Sequence, residues 1–228
     1  MRRISLLYFS AALLLACQTI APAQSVRGSF GFFQLGYLNA PKSGNVARTF
    51  APDWFPSLND HFIYSGAEGW LRRNRLMAGL SASALTARSI SVQQTRVERA
   101  AGIGQIKLGY VLFDTRRWVC YSAIGQGISS SLITIHQDGF QPHIAVLSSH
   151  STDLSLHLNR LLVPDPSVGP EETKGFWLGL RIGYVASSKS AHWQQLPDGQ
   201  PNQVKPEYAL NGFYVTLTVG GGGFHYAQ

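Results

Sequence analysis

The chain is short of charge. Asp, Glu, Lys and Arg make up 14% of its 228 residues, against about 25% in ordinary soluble domains. That shortfall, set beside many glycines and aromatics, argues against a cytosolic protein. Cysteine is scarce too, with only Cys17 and Cys120. Once the leader described below is removed, Cys120 stands alone, which excludes an intramolecular disulfide. Beyond the leader no run approaches the ~20 apolar residues of a spanning helix. Phosphate loops are lacking: Gly102 and Gly104 have no third glycine and no Lys-Ser/Thr beside them. Gly220 to Gly223 follow a strand, but no helix follows them to offer its N-terminus to an anion. The net charge is +7, yet Arg72, Arg73 and Arg75, Arg96 and Arg99, and Arg116 and Arg117 form scattered groups rather than a stripe. Nucleic acid is therefore not an expected partner, whereas anionic lipid head groups fit.

The first two dozen residues read as an address. Arg2 and Arg3 form a positive region, Leu6 to Ala16 an apolar one, and Ala21-Pro22-Ala23 an A-x-A cleavage site before Gln24. Residues 1–23 are expected to be a signal peptide and 24–228 the mature domain, cut between Ala23 and Gln24. One alternative stays open. Leu14-Leu15-Ala16-Cys17 resembles a bacterial lipobox, which would leave Cys17 lipidated at the new N-terminus.

What the mature chain has in plenty is period-two alternation, the mark of half-buried strands. In 29–38, Phe33, Leu35 and Tyr37 oppose Gln34 and Gly36. In 174–186, Phe176, Leu178, Leu180, Ile182 and Tyr184 oppose Trp177, Gly179, Arg181 and Gly183. In 212–224, Phe213, Val215, Leu217 and Val219 oppose Tyr214, Thr216, Thr218 and Gly220. Further candidates are 62–71, 75–87, 102–113 and 118–129. The stretch 153–162 fits a strand through Leu154, Leu156 and Leu158. It also fits a helix face through Leu154, Leu158, Leu161 and Leu162. The strand is preferred because it brings the count to eight. Long connections (39–61, 88–100, 130–151, 187–211) alternate with short ones (around 72–75, 114–117 and 164–173). The wet faces hold Gly, Ser, Thr, Ala and Gln instead of the Lys and Glu that water favours. Tyr37, Tyr110, Tyr184, Trp70, Trp118 and Phe113 lie near strand ends, as interfacial girdles require. The expected fold is all-β: an eight-stranded, up-and-down antiparallel transmembrane β-barrel.

Four stretches carry a resemblance: "RLMAGLSAS", "GFWLGLRIGY", Trp193 in the loop that follows, and the ending "GFYVTLTVGGGGF". On these the chain resembles the small bacterial outer-membrane β-barrels of the OmpA/OmpX kind, and more narrowly barrel proteins common in Bacteroidota. The resemblance implies the outer membrane of a Gram-negative bacterium, its lipids and the barrel-assembly machinery as partners, and a monomer. The chain departs from that pattern at its end. Ala227 and Gln228 follow the aromatics Phe224 and Tyr226 where such barrels often finish on an aromatic.

Signals for chemistry are thin, and neither a catalytic residue, a cofactor nor a metal is assigned. His136, His143, His150 and His157 recur every seven residues, but Gly139 and Pro142 break any helix between the first two, and a strand sends them to opposite faces. Ser148, Ser149, His150, Ser151 and Asp153 hold the residue types of a hydrolase without its geometry. Glu68, Lys107 and Arg181 are the expected interior charges, paired into a network that fills the lumen. The expectation is a structural or surface-interaction role through long outer loops. A periplasmic or lipid-anchored ligand-binding barrel stands as the alternative, and behind it a barrel enzyme acting on lipid. External ligand and partner are not legible.

Overall fold

A computed structural model of the chain describes residues 25–41, 43, 60–92, 94–139, 141–167, 169, 171–188, 193–196 and 208–227. Cys17, Ala23 and Gln24 lie outside the described residues. Ten strands follow in order: β1 (Ser25–Asn39), β2 (His61–Arg73), β3 (Leu76–Ala87), β4 (Ile90–Val92), β5 (Thr95–Asp114), β6 (Trp118–Gln137), β7 (His143–Pro164), β8 (Glu172–Ser187), β9 (Trp193–Leu196) and β10 (Gly212–Ala227). Eight of them, all but β4 and β9, form an antiparallel ring in chain order. The ring closes where β1 pairs with β10, from Ser25↔Ala227 to Asn39↔Phe213. Among the described residues closure gives each of the eight ring strands a partner on both sides, as a hydrocarbon surround demands. Residues 153–162 are strand within β7.

Strand alternation sorts side chains by face. Outside lie Phe33, Leu35, Ile106, Leu108, Leu180, Ile182, Val215 and Leu217, with Phe33 73% and Leu217 60% exposed. Water would not tolerate a continuous aliphatic belt around a whole domain. On β8 the belt runs from Phe176 to Tyr184, about 26 Å along the strand at ~3.3 Å per residue, or about 20 Å across the membrane at a tilt of about 40°, within the ~25 Å apolar band of a membrane barrel.

The inside is layered. At the end bearing the short turns, Phe30, Phe32, Trp70, Tyr121, Trp177 and Phe224 form one aromatic cluster with Val26, Met77 and Leu161. At the other end Leu38, Phe62, Leu85, Val97, Leu147, Tyr208 and Leu210 form a second apolar cluster. Charged and polar side chains fill the space between. The interior is therefore far more aromatic than the small polar residues of the wet faces suggest. Trp70 is a correction: it shares the phase of Phe62, Tyr64 and Glu68 on β2 and is buried inside, not in a girdle. Tyr37 and Tyr184 remain outside, where Tyr184 packs on Phe213 at 4.7 Å between ring centroids.

The four glycines of β10 do not interrupt pairing, for the register with β1 and β8 runs straight through them. Their use is space. A Cβ on Gly220 would stand 2.7 Å from the Phe32 ring, and one on Gly222 would run into Phe30. Gly222 has a φ of 150°, and its carbonyl accepts the Trp177 indole N–H at 3.2 Å. Phe224, beyond them, points inward, and the Tyr226 hydroxyl donates to Asp114 at 3.2 Å. The last strand thus extends to Ala227 and ends on an inward-facing pair of aromatics.

Two of the expected long loops are mostly strand. Of residues 130–151, those to Gln137 belong to β6 and those from His143 to β7, and between them Asp138 and Gly139 turn, with a φ of 81° at Gly139. Residues 88–100 hold β4 and the start of β5. The strands β5, β6 and β7 have 20, 20 and 22 residues, against 12 to 16 in the other five of the ring. They rise as a wall beyond the rim, widened by β4 against β5 and β9 against β7. At the opposite end the turns are tight. Asn74 adopts a left-handed φ of 58°, which Asn tolerates better than most residues. Its side-chain oxygen accepts the Val26 amide at 3.1 Å, tying this turn to the start of β1.

Candidate functional site

The middle layer of the lumen is built around Arg181. Its position on β8 puts it inward between Gly179 and Gly183, and it is 1% exposed. Arg181 Nη2 donates to Asp153 Oδ2 of β7 at 2.8 Å. Nη1 donates to Gln34 Oε1 of β1 at 2.8 Å and reaches Glu68 Oε2 of β2 at 3.5 Å. Lys107 Nζ, from β5, lies 3.1 Å from Asp153 and 3.9 Å from Glu68. Two cations thus meet two carboxylates, which is what permits full burial of all four. Tyr214 of β10 donates its hydroxyl to Asp153 Oδ1 at 2.6 Å, and its ring lies under the Arg181 guanidinium at 4.6 Å. Tyr64 stacks on Tyr214 at 5.4 Å and bonds Ser83 of β3 at 2.6 Å.

Glu68, Lys107 and Arg181 therefore converge. Asp153, His157, Gln34 and Tyr214 complete the cluster, and a reading of the sequence residue by residue does not find them. A signal for two of them existed. Once 153–162 is strand, Asp153, Ser155, His157 and Asn159 alternate with the leucines and must share the inner face. Partners across the barrel depend on register, which no single strand encodes.

The glycines beside Arg181 make room for its partners. A Cβ on Gly183 would collide with the Tyr214 hydroxyl, and one on Gly179 with the Asn159 side-chain oxygen. Gly183→Val is expected to displace Tyr214 from Asp153 and lower unfolding stability by about 1–3 kcal/mol, as overpacking does. Denaturant titration of the folded barrel checks this, and an unchanged midpoint would show that the lumen has slack.

One arrangement has the outline of a relay. The Ser155 hydroxyl is 3.0 Å from His157 Nε2, and His157 Nδ1 is 3.5 Å from Glu68 Oε1. The surroundings oppose catalysis. His157 stacks on Tyr121 at 4.3 Å, meets Trp70 edge-on at 5.8 Å, and is 1% exposed. Ser155 also donates to Asp153 at 3.2 Å. A hydroxyl so enclosed meets no substrate, and the group acts as packing. The other histidines scatter: His136, His143 and His150 are exposed on or near the wall, away from His157. Ser151 and Asp153 point inward while His150 points outward, so the serine-rich stretch 148–153 makes no triad. Among the described residues no three His, Cys, Asp or Glu side chains gather as a metal site would need.

A closed ring, an apolar exterior and a charged interior describe an eight-stranded transmembrane β-barrel. No family model matches the chain, and no curated protein matches it in sequence. Solved structures do. Ail, the attachment invasion locus protein of Yersinia pestis, aligns with a TM-score of 0.46 and 10% identity, covering 88% of this chain and 99% of that one. Neisserial surface protein A aligns with a TM-score of 0.42 and 11% identity, covering 88% and 96%. The outer membrane protease OmpT of Escherichia coli aligns with a TM-score of 0.37 and 10% identity, covering 92% and 100%. These neighbours are outer-membrane β-barrel proteins. The architecture itself rests on the closed register above.

Proposed function

We propose that the protein is an integral outer-membrane barrel with a plugged lumen, which holds a β-sheet wall outside the membrane as an interaction surface. The carrying observation is the contrast between the two ends. One has tight turns and both ends of the ring; the other has β5, β6 and β7 standing beyond the rim with β4 and β9 added. In outer-membrane barrels the short turns face the periplasm and the long connections face outwards. The apolar clusters above and below the charged layer favour a filled barrel over a channel. The signal peptide ending at Ala23 supplies the export that this location needs.

An epitope inserted at the Asp138-Gly139 turn is expected to be labelled on intact cells. The same protein should fractionate with the outer membrane and migrate differently on gels before and after heating. A soluble periplasmic product, or an epitope reached only after permeabilisation, overturns the reading.

A further inference from the structure

Cations outnumber acids around one cleft at the short-turn end. Arg116 and Arg117 of the β5–β6 turn, Arg160 of β7 and Lys174 of β8 border a cleft of about 330 Å³ with Leu161 and Leu162 in its wall. The Leu161 amide donates to the Arg117 carbonyl at 2.8 Å, which holds the turn against β7. Glu172 also borders the cleft, but stands 3.6 Å from His225 Nδ1. Asp165 lies 3.9 Å from Lys174 Nζ. Its carboxyl accepts the Ser167 hydroxyl at 2.6 Å and amide at 3.0 Å, which hold it below the usual carboxylate range. Among the described residues Arg116, Arg117 and Arg160 have no ion-pair partner.

Arg160 sits on the lipid-facing side. The register sets it between Trp118 of β6 and Leu178 of β8. Exposed Leu158 precedes it on β7, and exposed Leu162 and Val163 follow. Its guanidinium lies 5.2 Å from the centre of the Trp118 ring. A cation facing lipid is costly at the bilayer midplane and tolerated at the head groups. Tryptophan favours that same level. An arginine there, without an acid and beside two more arginines, matches a phosphate, which a guanidinium can grip through two parallel bonds.

We propose that this cleft binds the phosphate of an anionic phospholipid in the periplasm-facing leaflet, in preference to a zwitterionic one whose own ammonium competes with the arginines for that phosphate. Arg160 and Arg117 hold the phosphate, and the acyl chains lie along Leu162, Val163 and Phe176. The inference rests on the membrane reading above.

The test uses the full mature chain folded into nanodiscs of equal phosphatidylglycerol and phosphatidylethanolamine, with retained lipid counted by native mass spectrometry. Phosphatidylglycerol is expected to be retained preferentially. The preference should fall roughly fivefold per arginine removed in Arg160→Gln and in Arg160→Gln/Arg117→Gln. Arg96→Gln, at the far end and paired with Glu98 at 2.6 Å, should leave it unchanged, and Arg160→Lys should retain part of it. Inorganic phosphate should not displace the lipid. Equal retention of both lipids, a preference that survives the double substitution, or displacement by inorganic phosphate overturns the site. Heat-modifiable migration of the same samples keeps the two readings apart. A barrel that folds in the nanodisc without the preference refutes the site alone, whereas one that never inserts refutes both.

Discussion

Replacing Arg181 with methionine is expected to destabilise the folded barrel by about 3–5 kcal/mol, the usual cost of breaking a buried ionic cluster from one side. Arg181 touches Gln34, Glu68 and Asp153 and lies over the Tyr214 ring. Without it two carboxylates share the one ammonium of Lys107, which stands 3.9 Å from Glu68. The loss should shrink when the charge is rebalanced. Arg181→Met/Asp153→Asn leaves one cation and one anion, Lys107 and Glu68, in the middle layer and is expected to be more stable than Arg181→Met alone. Urea unfolding in lipid vesicles measures the parent, Arg181→Met, Asp153→Asn and the double variant, with the lumen tryptophans Trp70 and Trp177 as fluorescent reporters. Additive losses would mean that the two side chains are not coupled, contrary to their 2.8 Å contact.

The second large effect concerns the outer face. Leu217→Arg is expected to cost about 2–4 kcal/mol in a bilayer, the penalty for arginine at the midplane of a barrel's lipid face. Leu217 is flanked by Leu35 on β1 and Leu180 on β8, so no neighbouring carboxylate is available. In water the same exposed site would tolerate arginine to within about 0.5 kcal/mol. The experiment therefore decides what surrounds the barrel: a near-neutral substitution would mean that the belt faces water.

The ring and its outward face were legible in the sequence because alternation gives the strands, the loop lengths their order, and the residue types on each face the surroundings. Phe213, Val215, Leu217 and Val219 announce one face, and the missing lysines and glutamates on the other exclude water there. The wall was not legible. Within 130–151, Ile133 and Ile135 point inward but Leu132 is outside, so the contrast between faces fades beyond the membrane and the stretch reads as loop. Of the lumen charges, Glu68, Lys107 and Arg181 could be picked out because each is a charge in an apolar or glycine-rich strand. Asp153 was hidden by the two periods that compete in 153–162. Trp70 was misplaced because its position near a strand end suits a girdle, and only the phase of β2 turns it inward. Pairings across the barrel are fixed by register and stagger, properties of the closed sheet and not of any segment.

The reach of Arg181 carries a consequence for how the barrel forms. Besides Asp153 on the adjacent β7, two of its partners lie across the seam on β1 and β2: Gln34 is 147 residues away along the chain and Glu68 113. Until the first and last strands meet, this guanidinium has no Gln34 to bind and the first-hairpin carboxylate has no guanidinium. Intermediate arcs of the sheet thus lack the contacts of Arg181 to Gln34 and Glu68, although its pair with Asp153 on the adjacent β7 is already within reach. Such arcs are disfavoured, so insertion and sealing should proceed as one concerted event. The same side chains that fill the lumen act as a latch, and the latch engages only when the circle is complete.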